Sequence, residues 1–154
     1  MNTIAAGKKA PQFALEGTGG TWSLSDAAGG AVVIYFYPRD NTPGCTQEGE
    51  AFGAAYPQFK KAKTEIVGIS ADSLAAHEKF KRKMAFPFEL LSDPDKKVCT
   101  LYGVIQEKSM YGKKFLGIER STFLIDGNGV LRQMWRKVKV NGHAAAVLAA
   151  VKAL

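Results

Sequence analysis

The chain has 154 residues, a length typical of one domain, and we expect that domain to span residues 1–154. Hydrophobic residues make up 46% and charged residues 23%, as in globular proteins, which excludes a disordered or fibrous chain. No apolar stretch reaches the roughly 18 residues that a membrane-spanning helix needs. The segment Met1–Lys9 lacks the apolar centre of a secretory signal, so we expect a cytoplasmic protein.

The net charge of +7 raises the question of nucleic-acid binding. The basic residues are scattered over the ranges 60–63, 79–83 and 132–139, which also carry apolar positions typical of buried faces. Such a distribution favours solvated faces of helices and strands, and without a motif a basic balance indicates only non-specific attraction. We therefore expect no nucleic-acid partner, and an anionic partner protein explains the charge equally well.

The first third of the chain predicts a hairpin, a core strand and a helix. Residues 13–15 and 22–24 are short alternating runs joined by a turn-rich linker, which is typical of a hairpin. Residues 31–37 form an unbroken β-branched and aromatic run, as in a strand buried on both faces. Apolar positions at helical spacing predict a helix from about Pro43 to Phe59, and Pro57 is expected to strain or bend its last turn.

The middle of the chain continues this alternation of strands and helices. Residues 66–70 read as a second core strand, and Asp72 or Ser73 caps a helix that runs to about Met84. Residues 88–91 predict a short strand. A small helix follows from about 92–94, and Gly103 ends it.

The last third predicts a second hairpin and a closing helix. Residues 108–117 are polar and contain glycine, so we expect irregular structure there. Residues 121–126 and 130–137 flank an Asp-Gly-Asn-Gly turn, and residues 144–154 form the last helix. Together these elements predict a three-layer α/β sandwich in which helices flank a mixed β-sheet.

The cysteines and histidines are too sparse for a metal centre. Cys45 and Cys99 lie far apart in the sequence, which is neither a disulfide framework nor a metal cluster. His77 and His143 have no ligand partner at metal spacing, and a lone histidine on a polar helix is more often a surface residue. We expect no metal and no cofactor, and assign neither histidine a role.

The segment around Cys45 has the features of a reactive thiol site. Between a core strand and a helix, Thr42 is the predicted N-cap and Pro43 the first helical residue, which makes Cys45 the third. Unpaired N–H groups and the positive end of the helix dipole then lie beside the sulfur and favour a thiolate. Gly44 lets a small substrate approach, and the Thr42 hydroxyl is close enough to bond the sulfur or an oxygen bound there.

The site holds one thiol rather than two. A dithiol centre needs Cys-x-x-Cys, but Thr42 stands three residues before Cys45 and Glu48 three residues after it. A single thiolate beside a hydroxyl and helix N–H groups suits attack on an electrophilic oxygen, with sulfenic acid as the product.

These residues resemble a known family. The segment from Pro38 to Cys45 is similar to the peroxiredoxin motif Pro-x-x-x-Thr-x-x-Cys, and Thr-Pro-Gly-Cys-Thr-x-Glu resembles the peroxiredoxin Q subfamily, also called bacterioferritin-comigratory protein. Further similarity lies at 10–13, 67–72, 90–93, 102–104 and 117–126. The resemblance implies a thioredoxin-like fold with an N-terminal hairpin and an antioxidant thiol peroxidase that reduces hydrogen peroxide and organic hydroperoxides.

The resemblance also implies roles for individual residues. Cys45 would be the peroxidatic nucleophile, Thr42 would hydrogen-bond the peroxide, and Pro38 would shield the thiolate from water. Arg120 would stabilise the thiolate and polarise the peroxide, and a cation near a sulfur anion explains an arginine beside a core strand, although a surface position fits as well. Glu48 lies one helical turn after Cys45, where it either orients an arginine or faces solvent.

The chain departs from the family pattern at the resolving cysteine. The position five residues after Cys45 is Glu50, and the range 76–83 holds no cysteine. For Cys99, beside apolar neighbours, we favour a structural role over a resolving one. We therefore expect a one-cysteine cycle in a monomer, with thioredoxin, or glutathione and glutaredoxin, as the external thiol.

Two other functions stay open at this point. A thiol–disulfide reductase on the same fold is one, although the missing Cys-x-x-Cys argues against it. A redox sensor or basic binding protein, in which oxidised Cys45 signals to a partner, is the other.

Overall fold

The computed structural model describes residues 4–27 and 29–154, so the first three residues of the N-terminal segment discussed above lie outside the described part. Nine strands are described: β1 (Ala14–Gly17), β2 (Gly20–Ser23), β3 (Ala31–Phe36), β4 (Thr64–Ser70), β5 (Glu89–Ser92), β6 (Ile105–Met110), β7 (Lys113–Ile118), β8 (Ser121–Ile125) and β9 (Leu131–Trp135). The helices are α1 (Pro43–Lys61), α2 (Leu74–Met84), α3 (Lys97–Leu101) and α4 (His143–Lys152), and a 3₁₀ turn spans Leu24–Ala27.

Seven strands form one mixed sheet in the order β2-β1-β5-β4-β3-β8-β9. Strand β4 is parallel to both β3 and β5, whereas β8 runs antiparallel to β3 and β9. This confirms the predicted three-layer α/β sandwich with its mixed sheet and both main hairpins. Among the described residues, no helix is long and apolar enough to cross a membrane.

The sheet separates two hydrophobic clusters because side chains alternate between the faces of each strand. From β3, Val33 and Tyr35 point into a cluster with residues of α1, α2 and α4. From the same strand, Val32, Ile34 and Phe36 point into a cluster on the other face, beside α3 and the 3₁₀ turn. Burial on both faces explains the uninterrupted apolar run of β3.

Several predicted helix ends are confirmed. Ser73 rather than Asp72 caps α2, because its hydroxyl accepts a hydrogen bond of 3.1 Å from the Ala76 amide. Gly103 follows α3 with a φ of +70°, the left-handed conformation that favours glycine. Pro57 lies inside α1, which nevertheless continues to Lys61.

The prediction of irregular structure for residues 108–117 is wrong, because β6 and β7 form a hairpin there. Most side chains on both faces of this hairpin are exposed, so its sequence has no apolar–polar alternation to mark it as a strand pair. Its turn is formed by Tyr111 and Gly112, both with positive φ, in place of the Asn-Gly pair that usually signals such a turn.

Candidate active site

Cys45 lies in the first turn of α1, just after the segment that connects β3 to this helix. Thr42 is the N-cap with an extended φ of −95°, Pro43 opens the helix, and Cys45 is the third helical residue, as predicted. The Cys45 side chain is 2% exposed. Amide groups in the first helical turn lack intrahelical acceptors, so the thiol lies beside unpaired donors and the positive end of the helix dipole.

Arg120 connects the thiol to a buried carboxyl group. It lies between β7 and β8, and its Nη2 donates to Cys45 Sγ at 3.3 Å while its Nη1 donates to Glu48 Oε1 at 2.5 Å. Burial lowers the pKa of Arg120, but the negative groups of Glu48 and Cys45 outweigh it and raise the pKa overall. A permanent cation therefore contacts the sulfur.

Glu48 is held in an environment that opposes its charge. Burial raises its pKa to about 7, although Arg120 acts in the opposite direction. Its Oε2 is buried and has no hydrogen-bond partner among the described residues. Of the two alternatives left open for Glu48, the structure shows the position that faces Arg120 and not the solvent-facing one.

The remaining predicted site residues, Thr42 and Pro38, lie in the segment between β3 and α1. The Thr42 hydroxyl donates to the Arg39 carbonyl at 2.9 Å, which leaves its oxygen lone pairs free of that bond. Pro38 lies two residues after the end of β3 and is exposed. A Cβ atom on Gly44 would lie 3.1 Å from Arg120 Nη2, so the missing side chain at Gly44 makes room for the guanidinium.

The prediction that His77 lies at the surface is wrong, because its side chain is fully buried. Its Nδ1 lies 2.6 Å from Asp40 Oδ2, and its Nε2 lies 2.9 Å from the Leu91 carbonyl oxygen. Tyr37 donates to the other Asp40 oxygen at 2.6 Å, and the Asp40 amide donates to Asp72 at 2.8 Å.

This group of side chains contains residue types that bind metals. One potential ligand atom each from Asp40, Asp72 and His77 lies within 4.8 Å of the others. Hydrogen bonds within the group account for this closeness, since the Asp40 amide and the Ser70 hydroxyl both donate to Asp72 Oδ2.

His143 is also buried rather than exposed. Its Nε2 lies 2.7 Å from the Thr122 hydroxyl oxygen, and its ring packs edge-on against Phe52 and Trp135. Burial and, to a lesser extent, the charge of Arg120 together lower its pKa to about 4, so the ring is neutral at pH 7.

Cys99 lies on the opposite face of the sheet from Cys45. The two residues belong to the two separate hydrophobic clusters, and both are free thiols. Burial raises the pKa of Cys99, and the carboxylate of Asp93, which accepts a hydrogen bond from the Cys99 amide at 2.8 Å, raises it further. An unreactive thiol is the result.

Sequence reasoning missed the buried polar residues behind the site. Asp40 carried one signal, since it lies inside the Pro38–Cys45 segment without belonging to its fixed positions. His77 and Thr122 carried none, because the contacts that bury them come from residues distant in the sequence.

A buried thiol at the start of a helix, after a central strand and against a fixed arginine, is typical of a thioredoxin-like oxidoreductase. A sequence profile of the AhpC/TSA family matches residues 6–134. The chain belongs to this family and is a peroxiredoxin, a thiol peroxidase.

Curated relatives and solved structures agree with this assignment. Peroxiredoxin Bcp of Xanthomonas campestris pv. campestris is 56% identical over 137 residues, which is 88% of this chain and 86% of the relative. Peroxiredoxin Bcp of Bacillus subtilis is 46% identical over 151 residues, 97% of this chain and 96% of the relative. A structure of Xanthomonas campestris peroxiredoxin Q has a TM-score of 0.90 at 51% identity and covers 96% of this chain and 97% of its own. A second structure is that of the bacterioferritin comigratory protein from the same species, from work on its alkyl peroxide reduction activity. It has a TM-score of 0.90 at 50% identity and covers 97% of this chain and 98% of its own. These comparisons confirm the thioredoxin-like fold.

Proposed function

We propose that Cys45 is the peroxidatic residue and reduces hydrogen peroxide and organic hydroperoxides. The thiolate sulfur attacks the terminal peroxide oxygen, the O–O bond breaks, and Cys45 becomes a sulfenic acid. The departing oxygen takes up a proton and leaves as water or as an alcohol. The 3.3 Å contact between Arg120 Nη2 and Cys45 Sγ is the observation that carries this proposal, because a fixed cation favours the attacking anion.

The neighbouring residues complete this chemistry. Arg120 also polarises the bound peroxide, and Glu48 fixes the guanidinium through the second Nη nitrogen. The Thr42 hydroxyl oxygen accepts a hydrogen bond from the peroxide O–H at the helix start, since its own hydrogen is donated to the Arg39 carbonyl. Pro38 limits the access of water to the thiolate.

Regeneration then depends on a thiol from outside the chain. An external thiol attacks the Cys45 sulfenic acid, forms a mixed disulfide and releases water, and a second thiol restores Cys45 as the donor leaves oxidised. The opposite-face location of Cys99 supports this one-cysteine cycle, since a bond needs the two Cα atoms within about 7 Å of each other. Thioredoxin, or glutathione with glutaredoxin, fits the donor role in a cytoplasmic monomer of one domain.

Two variants and one mass measurement test this function. Cys45→Ser should abolish thiol-dependent peroxide consumption, whereas Cys99→Ser should keep it. After one equivalent of peroxide, wild-type protein should carry sulfenic acid at Cys45 with Cys99 free. Activity retained by Cys45→Ser would refute the peroxidatic assignment, and a disulfide between the two cysteines would refute the one-cysteine cycle.

A further inference from the structure

The side chain of His77 lies between two hydrogen-bond acceptors. The Leu91 carbonyl can only accept, so His77 Nε2 must donate to it across 2.9 Å. An ionised Asp40 carboxylate also accepts only, and it lies 2.6 Å from Nδ1. A neutral imidazole has one N–H, so it would leave two acceptors facing each other at that distance.

We propose that His77 carries protons on both ring nitrogens, and that the resulting imidazolium–carboxylate pair with Asp40 positions the turn before Cys45. Asp40 and His77 are thus positioning residues, and this role rests on the proposed peroxidatic role of Cys45. The proton belongs on the ring because imidazole binds protons more strongly than a carboxylate does in water. Tyr37 also donates to Asp40 Oδ1 across 2.6 Å, so both oxygens of the carboxylate act as acceptors.

The pair connects α2 and β5 to the start of α1. Asp40 lies two residues before the N-cap Thr42, and its partner His77 belongs to α2, which is tied to β5 through Leu91. Lys83, also on α2, donates to the side chain of Asn41 at 2.8 Å, and Asn41 holds the left-handed conformation with a φ of +61°.

Loss of the shared proton would therefore act on the reacting atoms. With both acceptors unprotonated, repulsion would push Asp40 away from α2 and move the first turn of α1, which carries Cys45. Arg120 is held by a different part of the chain, between β7 and β8, and would not move with it. A misplacement of about 1 Å costs roughly 100-fold in rate.

Nitrogen NMR of the full-length, reduced and EDTA-treated protein tests the protonation state directly. We expect both His77 ring nitrogens to show the shift of protonated nitrogen and a bound hydrogen at pH 7. The same result is expected in Cys45→Ser, so this outcome does not depend on peroxidase activity. An Nδ1 that resonates as an unprotonated acceptor would overturn the proposal.

The Asp40→Asn variant tests whether the Asp40 carboxylate keeps the His77 ring doubly protonated. The asparagine amide nitrogen can donate to an unprotonated Nδ1 while its oxygen still accepts from Tyr37, so the turn keeps its hydrogen bonds. We expect His77 to become neutral and the peroxide rate to stay within about threefold of wild type, because the geometry that governs the rate is kept. An imidazolium that persists in this variant would contradict the proposal.

Asp40→Leu and His77→Gln test the positioning role. Each should slow peroxide reduction by about tenfold or more, in keeping with a displaced nucleophile. The rate of Cys45 alkylation by iodoacetamide should fall much less than the peroxide rate, because alkylation needs the thiolate and not the peroxide geometry. Glu78→Gln, at the exposed neighbouring position on α2, is the matched control and should change neither rate.

Two results would contradict this role. One is an unchanged peroxide rate in whichever of the two variants folds, as judged by its amide spectrum. The other is an equal loss of peroxide and alkylation rates, which would point to a general structural defect. Thiol-donor KM should not change in any of these variants.

Discussion

The planar guanidinium of Arg120 donates hydrogen bonds to two acidic groups through two different nitrogens. One nitrogen contacts the Cys45 sulfur and the other contacts Glu48, and the side chain is only 16% exposed. A lysine ammonium is a compact charge on a flexible chain and cannot reproduce this fork. The arginine therefore supplies direction as well as charge.

We predict that Arg120→Lys lowers the second-order rate of peroxide reduction by about 100-fold or more, the usual cost of one lost donor to a transition-state charge. Stopped-flow measurement of Cys45 oxidation gives this rate without the reductant step. Arg132→Lys on β9 is the control, since Arg132 is half exposed and pairs with Asp126. A rate in Arg120→Lys equal to that of the control would show that charge alone suffices.

Glu48 makes a pH-dependent contribution to stability. Its folded-state pKa of about 7 exceeds the ordinary value of 4.5, because burial opposes the carboxylate. The folded chain therefore holds this proton at pH values where the unfolded chain has lost it, and the resulting stability is lost as the pH rises from about 4.5 through about 7.

We predict that Glu48→Gln removes this loss of folding stability at high pH. Its free energy of unfolding should match wild type near pH 4 and exceed it at pH 8, as measured by urea denaturation across the range. The Gln amide oxygen can still accept from Arg120. A difference of the opposite sign at pH 8 would mean that attraction to Arg120 outweighs the cost of burial.

At the scale of the elements, α1 is fitted closely to the segment that follows α2. A Cβ atom on Gly49 would lie 2.4 Å from the ring of Phe86, whereas one on Gly53 would meet only Pro87 at 3.5 Å. Gly49 thus has no room for a methyl group, whereas Gly53 does.

We predict that Gly49→Ala destabilises the fold by about 1–3 kcal/mol through overpacking. Gly53→Ala should be neutral or stabilise it by up to about 1 kcal/mol, because alanine is the better helix former. Thermal and urea unfolding of both variants measures the difference. Equal effects at the two positions would show that α1 can shift away from Phe86.

Sequence alone identified the elements whose residue types reveal their burial or their ends. Strand β3 is apolar throughout because both of its faces are covered, and the start of α1 is marked by Thr42 and Pro43. The β6–β7 hairpin escaped prediction because most of its side chains are exposed on either face, so its pairing leaves no periodic pattern.

The same distinction explains the site. Thr42, Cys45 and Glu48 lie close in the sequence, so their spacing on one helix end could be read directly. Arg120 was reached through a family resemblance, because its approach to Cys45 depends on how β8 pairs with β3. The partnership of Asp40 with His77 depends on the packing of α2 and left no mark in the sequence.

On the scale of the whole molecule, the sheet keeps the two thiols apart. Cys45 lies among residues of α1, α2 and α4, and Cys99 lies in the core on the other face with 0% exposure. Reaction at Cys99 therefore requires opening of that second core, whereas Cys45 lies in the first turn of α1, which also contains the exposed Pro43.

We predict that native, reduced protein reacts with iodoacetamide at Cys45 only, and that Cys99 becomes reactive in step with global unfolding in urea. Peptide mass spectrometry after timed labelling gives the rate at each cysteine, and Cys99→Ser identifies the signal of Cys45. The labelling rate of Cys99 should be proportional to the equilibrium population of unfolded protein, because the core around Cys99 opens only in the cooperative unfolding transition. Labelling of Cys99 at the rate of Cys45 without denaturant would mean that the second core opens locally, and Cys99 would then regain a possible part in the redox cycle.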